Sequence, residues 1–162
     1  MATGRSNLAG SKFDSPAQEA YLNLWRTYDR LREFEDELFG RYGLTAQQYN
    51  ALRLLREVAP AGLPTLMLAE KLITRAPDIT RLLDRLEEGQ LIRRERPEGN
   101  RRTVLVSITP SGQKLLEQLD EPVRKCHEQQ LGHLSPASMK QLIALLKEAR
   151  QPHERPNRAA QR

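Results

Sequence analysis

Aromatic residues are scarce in this 162-residue chain, at 5% of positions, and cysteine occurs once, as Cys126. A single cysteine excludes an internal disulfide and a cysteine-based zinc cluster. So few rings leave a core built from aliphatic side chains, Leu above all, and a hydrophobic content of 38% suits one helix-rich domain of ordinary size. No apolar run approaches the roughly 18 to 20 residues that cross a bilayer, and the opening MATGRSNLAGSK lacks the apolar stretch of a secretory signal. The chain is therefore expected to stay in the cytoplasm and to contact no membrane. A glycine-rich phosphate loop, a nucleophile beside a plausible base, and paired acids away from surface helices are all missing too. No catalytic residue, cofactor or metal set is expected. His127 and His133 lie near Cys126, but Gly132 intervenes and the spacing matches no common ligand pattern. Cys126 would serve as a redox sensor only in an exposed, electropositive setting.

A surplus of one charge is also absent from the body of the chain. The net charge is +5, but residues 1–13 carry +2 and residues 150–162 carry +3. The stretch between is formally neutral, so any electrostatic reading must be local.

What is present is helical periodicity. Residues 1–14 and 151–162 are small, polar or proline-bearing and are expected to be disordered tails. A first helix, within 15–44, opens where Ser15 can cap, Pro16 suits the first helical position and Gln18 completes a capping box. It then places Tyr21, Leu24, Trp25, Tyr28, Leu31, Leu38 and Phe39 at three- and four-residue steps. A lobe over 45–108 follows. Thr45 caps a second helix with Tyr49, Leu52, Leu55 and Val58 on its stripe, and Pro64 begins a short third with Leu66, Ala69 and Leu72. The segment ITRAPDITRLLDRL, residues 73–86, supplies the fourth, ending near Gly89. Its start admits two readings: Thr74 caps, with Pro77 in the first turn, or Pro77 is the first helical residue behind a poorly capping Ala76.

The period then changes. LIRRER and TVLVSI read as strands joined by the turn PEGN, which makes a β-hairpin. Over 109–150, Thr109 and Pro110 start a long helix carrying Leu115, Leu116, Leu119 and Val123, with a kink expected at Pro122. SPAS starts a last helix whose stripe is Met139, Leu142, Ile143, Leu146 and Ala149. This order is that of a mainly α winged helix-turn-helix with a small β-hairpin wing. The stripes on the terminal helices exceed what the central lobe can cover, so the helices of 15–44 and 109–150 are expected to pair with a second copy as a homodimer.

On the fourth helix Ile79, Leu82, Leu83 and Leu86 form the buried face, and the outer side carries Arg81 with Asp78, Thr80 and Arg85 beside it. Thr74, Arg75, Thr80 and Arg81 at a leading end with free amide donors suit phosphate and base edges in a major groove. The bland alternative is a solvated face in which Arg81 pairs with Asp78 or Asp84. The hairpin tips the balance: five arginines against two glutamates give +3 over residues 91–103. Arg101 and Arg102 stand at its tip, one to follow a phosphate and the other to enter a minor groove. Thr65 is a further candidate for phosphate positioning. A winged-helix module that meets an acidic protein partner is the alternative reading of the same cations. Trp25, Tyr28 and Tyr49 could line a ligand pocket or be plain core.

The run from Ile73 to Leu116, with YGLTAQQYNALRLL upstream and LSPASMKQLIALL downstream, resembles the MarR family of bacterial transcription regulators. The most specific part is the wing: Asn100, Arg101 and Arg102, the strand to Ile108, then Thr109 and Gly112. The resemblance implies a homodimer on double-stranded DNA bearing an inverted repeat, with the fourth helix in the major groove and Arg102 in the minor groove. It also implies a repressor relieved by a small phenolic or lipophilic effector. Asn100 departs from the family's usual aspartate, which weakens any anchoring of nearby arginines by charge.

Overall fold

A computed structural model of the chain describes residues 13–73, 78–100 and 102–154. It is mostly helical, with a small antiparallel sheet. In chain order the elements are α1 (Pro16–Gly40), α2 (Ala46–Glu57), β1 (Leu63–Pro64), α3 (Thr65–Lys71), α4 (Ile79–Glu88), β2 (Ile92–Glu95), β3 (Leu105–Ile108), α5 (Pro110–Leu131) and α6 (Pro136–Arg150). The sheet order is β1-β3-β2. In the hairpin Ile92 lies opposite Ile108 and Glu95 opposite Leu105, while the edge strand pairs Leu63 with Val106.

Local chemistry sets most boundaries. Thr45 and Gln48 exchange both bonds of a capping box at the start of α2. At α1 the Ser15 hydroxyl accepts the Gln18 amide at 3.1 Å, but the Gln18 side chain reaches back to the Asp14 amide rather than to that of Ser15. The anchor thus begins one residue inside the segment expected to be a tail. The far tail also needs correction: Gln151–His153 form a 3-10 turn and Arg150 pairs with Glu154 at 2.8 Å.

Two expectations about the lobe are overturned. Pro64 does not begin the third helix; it lies in β1 opposite Leu105, and helical geometry starts at Thr65. Proline fits there because an edge strand tolerates the missing N–H. Neither reading of the start of the fourth helix holds. Asp78 is the cap, its Oδ1 accepting the Arg81 amide at 2.9 Å, and the carboxylate also suits the positive end of the helix dipole. Thr74 and Pro77 lie outside the described residues.

The core is aliphatic and continuous. Leu52, Leu55, Leu68, Leu83, Leu86, Val106, Leu116 and Leu119 are almost wholly buried. They join α2, α3, α4, β3 and the first half of α5 into one mass. Arg56 of α2 meets Asp120 of α5 through two bonds of 3.0 and 2.9 Å. Further along α5, which continues past Pro122 to Leu131, the buried Gln130 donates from Nε2 to the Leu31 carbonyl of α1 at 2.8 Å and accepts His127 Nδ1 through Oε1 at 2.9 Å. In contrast α6 has no buried residue. The first half of α1 also shows its apolar side chains, Tyr21, Leu24, Trp25 and Tyr28, to solvent.

One junction ties lobe to arm. Helix α4 closes with Gln90 at φ 58° and the Leu91 amide on the Leu86 carbonyl at 2.9 Å. The next two carbonyls then hold α5: Thr109 donates its hydroxyl to Gln90 at 2.7 Å and its amide to Leu91 at 3.0 Å. The Thr109 hydroxyl also caps α5 by accepting the Gly112 amide at 3.0 Å. A Cβ at Gly112 would sit 2.3 Å from the Leu91 carbonyl oxygen and 2.7 Å from Ile108 Cγ1. Gly112→Ala is therefore expected to destabilise the protein by about 1–3 kcal/mol, read as a lower midpoint of urea unfolding; an unchanged midpoint would contradict this packing.

Candidate nucleic-acid interface

Helix α4 is ten residues long, about 15 Å at 1.5 Å per residue. Leu82, Leu83 and Leu86 are buried, with Ile79 partly so. The opposite side presents Thr80, Arg81 and Arg85, all exposed. Three of the acids that cap or belong to this helix are engaged elsewhere, while Glu88 at its end is exposed and unpaired among the described residues. Asp78 holds the Arg81 amide, and Asp84 and Glu87 both bind Arg94 of β2. The ion pair of Arg81 with Asp78 or Asp84, the bland alternative, is not formed. Among the described residues neither Arg81 nor Arg85 has an ion-pair partner, so the outer face offers two free guanidinium groups.

Arg94 was counted with the wing cations, and its setting is a different one. Nε and Nη2 reach Glu87 Oε2 at 2.9 and 2.5 Å, Nη2 reaches Asp84 Oδ1 at 2.7 Å, and the Arg94 amide gives a further bond to Glu87 Oε1 at 3.1 Å. The guanidinium holds the Glu87 carboxyl below its usual range, by hydrogen bonding first. Arg93 likewise pairs with Glu95 at 2.8 Å. Local charge counting cannot separate Arg94 from Arg102, because the partners of Arg94 lie seven and ten residues away.

The wing tip turns at Pro97 to Asn100, with the Asn100 amide on the Pro97 carbonyl at 3.1 Å and Gly99 at φ 86°. That is the geometry of a turn whose third residue must be left-handed, hence glycine. Asn100 Oδ1 accepts the Arg102 amide at 3.3 Å, and the Asn100 carbonyl accepts the Thr103 amide at 3.3 Å. The asparagine therefore shapes the tip through the main chain instead of anchoring a guanidinium. Arg102 is exposed and has no ion-pair partner among the described residues. Arg101, with Thr74 and Arg75, lies outside them.

Thr65 stands differently from expectation. Its amide and hydroxyl both donate to the Val104 carbonyl, at 3.0 and 3.2 Å, so both donors are already taken in joining α3 to the foot of β3. A cleft of about 340 Å³ brings Thr65, Leu66, Thr80, Arg94, Arg102 and Val104 together. The leading end of α4, the start of α3 and the wing thus share one concave surface. Leu66, 79% exposed, lines it.

Trp25, Tyr28 and Tyr49 do not form one pocket. Tyr49 stacks on Phe39 with ring centroids 4.5 Å apart, at the lobe end of α1, and burial pushes its phenol pKa up. Trp25 is fourteen residues earlier on the same helix, about 21 Å along the axis. It is exposed beside Tyr21, with centroids 6.2 Å apart. A cleft of about 280 Å³ lies instead between α1 and α5, lined by Phe34, Leu38, Arg41, Pro122, Lys125 and Cys126. Cys126 is buried, and burial, then the Glu35 charge, raise its thiol pKa. That is unlike a poised thiolate.

Helices α2 to α4 with a three-stranded wing, and free cations on one helix and on the wing tip, define a winged helix-turn-helix of the nucleic-acid-binding class. The MarR family model matches residues 44–104. A MarR transcription factor from Planctomyces limnophilus, known as a crystal structure, is 54% identical over 84% of this chain and 98% of that one, with a TM-score of 0.67. The HTH-type transcriptional regulator FarR of Neisseria gonorrhoeae is 30% identical over 67% of this chain and 75% of its own length. Sco3205, a MarR family regulator from Streptomyces coelicolor solved in complex with DNA, shares the fold at a TM-score of 0.79 and 20% identity, over 92% of this chain and 94% of that one. The chain belongs to the MarR family and is a DNA-binding transcriptional regulator.

Proposed function

We propose that the protein works as a homodimer on an inverted-repeat operator. In this reading each α4 lies in a major groove with Thr80, Arg81 and Arg85 toward the duplex, and each Arg102 enters the neighbouring minor groove. One observation carries it: Thr80 of α4 and Arg102 of the wing line the same cleft, so two elements far apart in sequence present polar groups to one side. The presence of DNA on Sco3205, which shares the fold, supports the same orientation. Thr74, Arg75 and Arg101, outside the described residues, are assigned as phosphate partners on their residue types alone. Asp78 and Asn100 serve it by holding the amides of Arg81 and Arg102, and Thr65 by fixing the foot of the wing. Arg102→Ala is expected to weaken operator binding by about 1–3 kcal/mol and to relax A·T preference at the flanking minor groove. Fluorescence anisotropy on selected duplexes measures both, and wild-type affinity in the variant would refute the assignment.

Dimerisation is supported by what each protomer leaves uncovered. Tyr21, Leu24, Trp25 and Tyr28 of α1 and Ile143, Leu145 and Leu146 of α6 are exposed large apolar side chains, an arrangement that marks an association surface. Two recognition helices held by such an interface address half-sites about 10 base pairs apart. Sedimentation is expected to give a two-subunit species at micromolar concentration; a monomer would contradict the arrangement.

Occupancy of the operator is read here as repression, relieved by a small phenolic or lipophilic ligand. The α1–α5 cleft supports this: Phe34, Leu38 and Pro122 offer an apolar wall, and Arg41 and Lys125 stand there paired with Glu37 and Glu121, a combination suited to a small aromatic ring with a polar substituent. A ligand there would press on the helix that carries the lobe. In a titration with substituted benzoates, at least one is expected to raise the thermal midpoint and release the operator duplex; if none does either, this effector class is wrong.

A further inference from the structure

We propose that Arg94 is a positioning residue for DNA recognition: it clamps the wing to α4 and so sets the offset between the major-groove face and Arg102. The proposal rests on the reading that α4 and the wing engage one duplex. Arg94 sits on β2 opposite Val106. Its guanidinium is shared between Asp84 and Glu87, one turn apart on α4, while Glu87 also takes its amide. Its side chain is 25% exposed, against 67% for Arg93 beside it. The neighbouring strand is pinned on its other side, where Thr65 binds the Val104 carbonyl twice. The hairpin is thus held between α3 and α4 at two points. Beyond Arg94, no hydrogen bond from the rest of β2 reaches α4 among the described residues, and the tip depends on its own turn.

Such partly exposed ion pairs contribute little to stability, since solvent screens them and ordering long side chains opposes them. Their geometry is another matter. A planar fork bound to two carboxylates fixes direction as well as distance, which a lysine ammonium cannot do. A binding constellation must be held to within about 0.5 Å to work. The wing arginine hangs from this clamp by eight residues of hairpin, so a loosened clamp blurs the separation that the operator presents. The clamp has a second effect: it offsets part of the charge of two carboxylates of α4 beside a polyanion.

The test separates position from charge. Arg94→Lys keeps the cation and removes the fork. It is expected to weaken specific duplex binding about tenfold with an unchanged salt slope, and to have less than a threefold effect in an Arg102→Ala background, where the minor-groove arginine that the clamp positions is already gone. The double variant Asp84→Asn, Glu87→Gln opens the same clamp from the helix side while adding net positive charge. Electrostatics alone predicts tighter binding from it, whereas the clamp predicts loss of A·T preference at the minor-groove positions. Circular dichroism and sedimentation on each variant check that the dimer is folded. A loss of the same size with and without Arg102, a salt slope lower by about 1, or retained A·T preference in the double variant would each overturn the proposal. Failure of the wild-type protein to bind duplex would instead sink the DNA reading itself.

Discussion

The carbonyls of Gln90 and Leu91 are where the molecule is held together. They follow directly on the end of α4 and stand at the foot of β2, and both are taken by Thr109 at the start of α5. Helix α4, the wing and α5 therefore meet within a few ångströms. Gly112 allows that meeting, because no side chain fits over the Leu91 oxygen. Any rotation of α4 relative to α5 has to pass through these bonds, and the bidentate pair of Arg56 with Asp120 braces the same joint from α2. The setting of α4 against α5 thus rests on two carbonyls held by the hydroxyl and the amide of Thr109.

The neutral charge of the chain's body resolves into a division of labour. Most of its described arginines are paired: Arg30, Arg32, Arg41, Arg53, Arg56, Arg93, Arg94 and Arg124 have carboxylate partners within 3.2 Å. Arg81, Arg85 and Arg102 have none among the described residues. Among the described residues Arg26 of α1 and Arg96 of the hairpin are unpaired as well, so what sets Arg81, Arg85 and Arg102 apart is their place on α4 and the wing tip and not their freedom alone. Net charge is blind to this, since it counts a paired and an unpaired guanidinium alike.

Features carried by neighbouring residues were readable from the sequence. The buried stripe of α4, the capping box at Thr45, the turn over residues 97–100 and the cap at Thr109 each depend on partners within a few positions. Features that depend on distant partners were not. Asp78 and Thr74 are both good caps by type, and choosing between them needs the packing of α4. The two-residue strand β1 has no periodicity to detect, and exists because Gly62 to Pro64 can lie along β3. The aromatic residues of α1 and α2 share a helical spacing, yet Tyr49 is stacked in the core and Trp25 is bare, a difference set by where the lobe ends. The partners of Arg94 were on the page as an acidic i, i+3 pair, but nothing local says that β2 returns across that stripe.

Gln130 imposes a different kind of limit. Its amide is buried, and among the described residues it bonds one particular main-chain oxygen of α1 and one imidazole nitrogen. Stranding such a group in an apolar contact costs about 1–3 kcal/mol. The two arm helices consequently cannot creep past each other by small amounts; they are notched, and any displacement between them has to release this amide and find another oxygen a full helical step away. Motion entering at one end of the arms would reach the lobe as a jump between discrete registers.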